Sequence, residues 1–142
     1  MKFSIISLSS IISIITALAS PDEIKIKVTN SVDCERKSRA GDFISVHYEG
    51  TFEDGKKFDS SFDRDTPLPF NLGGKQVIQC WDEGLLDMCI GEERILTCQP
   101  SVAYGEKGIG PIPPNSVLIF KTKLMDIAGV DKEEEDVAKD EL

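Results

Sequence analysis

Val46-His47-Tyr48-Glu49-Gly50-Thr51-Phe52-Glu53-Asp54-Gly55-Lys56-Lys57-Phe58-Asp59-Ser60-Ser61 is the stretch on which the reading of this chain turns. Around its start, Ile44, Val46 and Tyr48 alternate with Ser45, His47 and Glu49, the period of two expected of a strand with one buried face. Glu53-Asp54-Gly55 breaks the alternation as a turn does, glycine supplying a backbone conformation other residues resist. The chain resumes at Lys57-Phe58-Asp59, which sets an aromatic ring beside a carboxylate.

Outward from this stretch, Glu23 to Val28 alternates as a strand and Phe43 to Phe52 forms a second. Phe70-Asn71-Leu72 reads as a short third, between Pro67/Pro69 and Gly73-Gly74. From Val77 to Met88 the period changes: Ile78, Trp81, Leu85 and Met88 recur at helical spacing, with Gly84 weakening the helix locally. Glu92 to Cys98 returns to strand character. Gly105 to Pro114 is a loop, rich in Gly and Pro. Val117 to Ile127 is the last strand, with Leu118, Phe120, Thr122 and Leu124 on one face. Strands without repeats and one short helix predict an α+β fold, an antiparallel sheet wrapped on that helix.

The two ends carry addresses. Lys2, the apolar run Phe3 to Ile15 and Ala17-Leu18-Ala19 have the form of a secretory signal, so residues 1–19 are expected to be removed. The run is too short to span a bilayer comfortably, which predicts no membrane anchor after cleavage. Lys139-Asp140-Glu141-Leu142 spells the retention signal of soluble proteins of the endoplasmic reticulum lumen. Together they predict lumenal residence and a retention receptor as partner. The predicted organisation is a signal at 1–19, a folded domain at 20–130 and an acidic tail at 131–142.

The formal charge is −9, and loss of residues 1–19 with Lys2 takes it to −10. Roughly half lies in Asp131 to Leu142, which reads as a solvated extension. No basic stripe is present to neutralise phosphates, so nucleic acid is excluded as a partner. A high net charge favours a monomer.

Few residues could do covalent chemistry. His47 is the only histidine, and its place in the alternation points it away from the Tyr48 face. A Ser-His-Asp arrangement therefore lacks a base, and a zinc site lacks ligands. What stands out is a set of aromatic and aliphatic residues with a few polar ones: Tyr48, Phe58, Asp59, Arg64, Val77, Ile78, Trp81, Tyr104, Ile112 and Phe120. Taken singly, each reads as core packing or a turn residue.

Together they resemble the FKBP family, the macrolide-binding peptidyl-prolyl isomerases. The resemblance runs from Arg39 to Ile127 and rests on the quoted stretch, on Val77-Ile78-x-x-Trp81, on Ala103-Tyr104-Gly105 and on the Phe120 strand. It implies a twisted half-barrel of antiparallel sheet around one short helix, with a ligand pocket between them. It implies cis–trans isomerisation of X–Pro bonds in secretory polypeptides, binding of rapamycin or tacrolimus, and no cofactor. By resemblance Trp81 is the floor under the proline ring, with Tyr48, Phe58, Val77, Ile78 and Phe120 as walls. The Ile78 N–H and the Tyr104 hydroxyl hold substrate carbonyls. Asp59 faces the reacting carbonyl, oriented by Tyr48 and Arg64, and Ile112 belongs to the binding loop. The alternative is a chaperone-like module that holds proline-containing segments without turnover.

The chain departs from the family pattern at Leu68, where an aromatic wall is usual, at Cys80, where a glycine commonly precedes the tryptophan, and in the loop Gly105 to Pro114, which is one residue shorter. Four cysteines allow three full pairings, and the residues alone do not choose among them. Lumenal FKBPs resemble this chain in pairing cysteines at the places of Cys34 and Cys89. Cys80 and Cys98 are then expected to be buried thiols rather than a second bridge. No C-x-x-C pair suggests redox catalysis.

Overall fold

The computed structural model describes residues 22–131. The predicted signal at 1–19 and the terminal Lys139-Asp140-Glu141-Leu142 lie outside the described residues. Among those described, six strands form one antiparallel sheet: Ile24–Asn30 (β1), Phe43–Phe52 (β2), Lys57–Ser60 (β3), Leu68–Asn71 (β4), Glu93–Cys98 (β5) and Leu118–Ile127 (β6). The strand order is β1-β5-β6-β2-β3, with β4 also paired to β2. The predicted α+β architecture is the one observed. β2 is long enough to serve two neighbours on one side. Its first half pairs with β4, from Phe43↔Asn71 to Val46↔Leu68, and its second half with β3.

The alternation read from sequence sets the core. Ile44, Val46 and Tyr48 of β2 face inward, as do Leu118, Phe120, Thr122 and Leu124 of β6, all of them buried. Among the described residues two short α-helices accompany the sheet, Ser61–Arg64 (α1) and Gln79–Gly84 (α2), with a 3₁₀ turn at Pro100–Val102. α2 lays Cys80, Trp81 and the following Leu85 on the inner face. Burying a side chain such as Leu85 contributes about 1.5–3 kcal/mol. Contact is close at Gly84, where a Cβ would stand 2.9 Å from Leu96 Cδ1. The glycine that weakens the helix is what lets it approach the sheet.

The helix expected from Val77 to Met88 covers only six residues. Arg94 supplies the reason. Its guanidinium, buried on β5, donates to the carbonyls of Gly84, Leu86 and Asp87 at 2.8–3.0 Å and to Glu92 Oε2 at 2.8 Å. Ser38 adds to the clamp, its hydroxyl donating to Leu85 O at 2.7 Å and accepting from Met88 N–H at 2.9 Å. With those groups bound elsewhere and Asp87 at φ 65°, the chain turns out of the helix.

The second helix, α1, was not expected. Its four residues are too few for periodicity to show. It is started by Ser60, whose hydroxyl accepts from Asp63 N–H at 3.2 Å, and ended by Asp65 in the left-handed region. β3 and β4 were likewise read incompletely: the strand expected over Phe70-Asn71-Leu72 begins at Leu68 and ends at Asn71.

Two disulfides are present. Cys34–Cys89 joins the segment before β2 to the turn after α2. Cys80–Cys98 joins α2 to the end of β5, which corrects the expectation of two buried thiols. Both sulfurs of that second bridge belong to residues with no exposed surface, and the side chains that burial suggested were inert instead face each other across the core. Among the described residues no helix is long and apolar enough to cross a membrane.

Candidate functional site

Asp59 sits at the end of β3 and is held by a short local circuit. Backbone pairing of Gly50 with Asp59 places the carboxylate beside β2. The α1 turn then folds Arg64 back, so that its Nη1 contacts Asp59 Oδ1 and its Nη2 donates to the Tyr48 hydroxyl at 2.9 Å. Tyr48, pointing inward from β2, donates its hydroxyl to Asp59 Oδ2 at 2.5 Å, and the Ser60 N–H donates to Oδ1 at 2.9 Å. Each carboxylate oxygen is therefore fixed.

Electrostatics follow from this circuit. Burial alone would raise the pKa of Asp59, but the hydrogen bonds from Tyr48 and Arg64 outweigh it and hold the carboxyl below its ordinary range. Burial, reinforced by Asp59, pushes Tyr48 upward, and burial with the nearby Asp59 charge does the same to Tyr104. At neutral pH the site thus presents one carboxylate, one guanidinium and two protonated phenols.

Beside the circuit lies a cavity of about 230 Å³ lined by aromatic and aliphatic side chains with a few polar groups. Its walls are Tyr48, Phe58, Leu68, Val77, Ile78 and Phe120, with Trp81, Asp59, Gln76 and Tyr104 completing the lining. The aromatic rings meet edge to face: Tyr48–Trp81 at 4.8 Å, Trp81–Phe120 at 5.3 Å and Phe58–Phe120 at 5.8 Å between centroids. Such contacts fix ring positions beyond what area burial alone does. The indole N–H of Trp81 is buried with no hydrogen-bond partner among the described residues. Leaving such a donor unpaired costs about 1–3 kcal/mol.

Of the residues singled out in the sequence, Tyr48, Phe58, Asp59, Val77, Ile78, Trp81, Tyr104 and Phe120 converge on the one cavity. Arg64 stands behind Asp59 on an adjoining surface groove with Lys57 and Asp63. Ile112 is placed differently. It packs into the core, where it bridges Ile109 across the tip of the loop, and it is not part of the cavity wall. His47, as expected, faces away, stacked on Phe62 at 4.6 Å and paired with Ser61 Oγ at 2.8 Å.

Three further residues line or shape the site, of which Gln76 and Gly50 escaped the sequence reading while Leu68 was read as replacing a usual aromatic wall. Leu68 enters the wall from β4, and Gln76 is turned toward Asn71, accepting its N–H at 2.9 Å. Gly50 has no side chain to line anything, yet a Cβ there would stand 2.6 Å from Phe58 Cζ and 2.9 Å from Phe120 Cε1. The signal that could have found it is a glycine inside a strand, which implies close approach by a neighbour.

A profile of the family described as FKBP-type peptidyl-prolyl cis-trans isomerase matches residues 34–125, a span that holds every residue of the cavity. The chain belongs to that family. It is a peptidyl-prolyl cis–trans isomerase. This isomerase is 50% identical over 135 residues to FK506-binding protein 2 of Aspergillus oryzae, an alignment covering 94% of this chain and 99% of that one. It is 49% identical over 140 residues to FK506-binding protein 2 of Podospora anserina, covering 98% and 76%. Among solved structures, the crystal structure of AtFKBP13 superposes with a TM-score of 0.70 at 34% identity, covering 78% of this chain and 98% of that one. FkpA from Escherichia coli gives 0.69 at 39% identity, over 76% of this chain and 49% of that one. Among the described residues no cluster of three or more His, Cys, Asp or Glu could hold a metal ion.

Proposed function

We propose that this isomerase turns X–Pro bonds of newly made secretory polypeptides in the lumen of the endoplasmic reticulum, using the Trp81-floored cavity as its active site. The observation that carries this reading is the pairing of an aromatic-walled pocket with one fixed carboxylate, that of Asp59, at its edge.

Rotation about an X–Pro amide meets a barrier of about 18–20 kcal/mol because the twisted state loses resonance. No bond is made or broken, so the site needs neither nucleophile nor base. The twisted amide is less polar across its carbonyl–nitrogen unit than the planar one. An apolar cavity therefore favours it over the ground state, and only such differential stabilisation raises the rate. In the proposed complex the proline ring lies on Trp81 between Tyr48, Phe58, Val77 and Phe120. Ile78, at the N-cap of α2, offers its backbone N–H to one substrate carbonyl. Tyr104, kept protonated, donates to another, and Asp59 faces the reacting carbonyl with Tyr48 and Arg64 fixing its direction. Lowering the barrier by roughly 5 kcal/mol turns tens of seconds into milliseconds.

The same cavity is proposed to bind rapamycin or tacrolimus, whose pipecolyl ring mimics proline; the similarity to proteins named FK506-binding protein 2 supports this. The amino-terminal apolar run and Lys139-Asp140-Glu141-Leu142 support lumenal residence and capture by a retention receptor. The net charge supports a monomer.

The test is a proline-limited peptide assay with and without tacrolimus, repeated with Asp59→Ala and Tyr104→Phe. Turnover that both substitutions weaken and the macrolide abolishes supports the proposal. A protein that suppresses aggregation yet leaves the peptide untouched would replace it with the non-catalytic holding module. Secretion of a variant lacking residues 139–142, against retention of the full chain, tests the lumenal assignment.

A further inference from the structure

We propose that the Cys80–Cys98 disulfide is a positioning element of the isomerase site, setting the floor of the cavity against its rim. The inference rests on the reading of the Trp81 cavity as the active site.

α2 has six residues and Ile78 provides no side-chain cap. A helix this short does not hold its own geometry, so tertiary ties decide where Trp81 sits. At its carboxyl-terminal end those ties are polar, from Arg94 and Ser38. At its amino-terminal end Asp82 accepts from the N–H groups of Gly73 and Lys75, which binds the helix to the loop leading into it but not to the sheet. The Trp81 ring itself meets the sheet edge to face at Tyr48 and Phe120, contacts that can slide, whereas the covalent link from that end to the sheet cannot. It is made by Cys80, the residue before Trp81.

Its partner, Cys98, is the last residue of β5, paired with Leu118 on one side and Ile24 on the other. From there to Tyr104 the chain has little slack. Gln99 N–H donates to Glu23 O at 2.9 Å, Val102 N–H to Gln99 O at 3.1 Å, and Ala103 and Gly105 N–H both to Pro100 O at 3.0 and 2.9 Å. One crosslink therefore ties the indole floor, one residue from Cys80, to the Tyr104 hydroxyl at the far end of a hydrogen-bonded run. Cys34–Cys89 instead borders the polar clamp beyond the helix, where Cys89 N–H donates to Glu92 Oε1. It ends in the turn beyond α2, and Cys34 is partly exposed. The two bridges have the same Cα separation, 5.8 Å, and different work: one fastens the outer segment, the other spaces the cavity.

Two paired variants test this, Cys80→Ala/Cys98→Val, which removes the crosslink while keeping apolar volume, and Cys34→Ala/Cys89→Ala as the control. Trp81, the chain's single tryptophan, reports the floor directly by its emission. In the folded state, measured with the folded fraction known from a denaturant titration, the first variant is expected to lose about tenfold to a hundredfold in kcat/KM. Tacrolimus affinity is expected to fall in parallel, and Trp81 emission to shift to longer wavelength. The control is expected to be less stable, with kcat/KM and emission per folded molecule unchanged.

Should the first variant not fold, graded reduction of the native protein with dithiothreitol, alkylation and peptide mapping give the same reading without substitution. Activity is expected to survive opening of Cys34–Cys89 and to fall as Cys80–Cys98 opens, each opening taking two electrons and two protons from the dithiol. Full activity and unshifted emission without the Cys80–Cys98 bond, in either experiment, would overturn the inference. Absence of tacrolimus-sensitive turnover in the unmodified protein would instead overturn the active-site reading beneath it.

Discussion

Gly50 lies so close to Phe58 that a methyl group on its Cα would stand 2.6 Å from the tip of the ring. The ring belongs to the cavity wall, and Phe120, also in the wall, crowds the same point at 2.9 Å. A residue with no side chain thus sets how far two walls can retreat. Gly50→Ala is expected to destabilise the fold by about 1–3 kcal/mol, the usual cost of overpacking. It is also expected to push both rings into the cavity, so that kcat/KM falls more steeply than the folded fraction. Chemical denaturation and the peptide assay on one preparation measure the two together. Unchanged turnover would mean that the rings relax away from the substrate.

Tyr48 and Asp59 are predicted to act as a unit. Tyr48→Phe keeps the ring contact with Trp81 but removes the donor, and Asp59→Asn keeps shape but removes charge. Each is expected to reduce kcat/KM by about tenfold, in line with loss of a hydrogen bond to a charged group at roughly 1.5–3 kcal/mol. The double variant should be little worse than either single one, because coupled neighbours are not additive. Fully additive losses would show that the two side chains contribute independently.

The circuit also predicts a pH dependence with a definite sign. Asp59 has a folded-state pKa below its ordinary value, so its contribution to stability is present above about pH 3.9, the unfolded value, and is lost as pH falls through the folded one. Partial exposure of the carboxylate screens the effect. Urea midpoints from pH 7 down to pH 2.5 should decline more steeply for the native protein than for Asp59→Asn. Parallel curves would remove Asp59 from the account. Turnover should stay level through pH 9, since Tyr48 and Tyr104 are both raised above ordinary tyrosine.

Arg94 is predicted to be the most costly charge to remove. Arg94→Met leaves Glu92 buried without its partner and three carbonyls unbound, for which about 3–5 kcal/mol is expected. Arg94→Lys should rescue only part, because an ammonium cannot span the same carbonyls in one plane. Thermal melts of the two variants decide the point.

Much of this was legible in the chain itself. Alternation around Tyr48 and along Leu118 to Leu124 gave the inner face of the sheet, since side chains on a half-buried strand must obey a period of two. Helical spacing located Trp81. The end of its helix was hidden, because what stops it is Arg94, ten residues past Gly84 and on another element. α1 was hidden for a different reason: it consists of a capped turn whose only mark is Ser60. The second disulfide escaped because burial of a cysteine says nothing of what it faces. Gly50 escaped because its importance lies in the atoms it lacks.

β6, the last strand among the described residues, is paired on both sides, by β5 and by β2. The sheet therefore cannot be laid down in the order of synthesis: Ile44 waits for Ile127, and Tyr48 for Thr122. A chain cut short before Leu118 would lose the keystone rather than an edge, leaving the earlier strands as two unjoined pieces. The isomerase must therefore be synthesised through Ile127 before its own cavity can close.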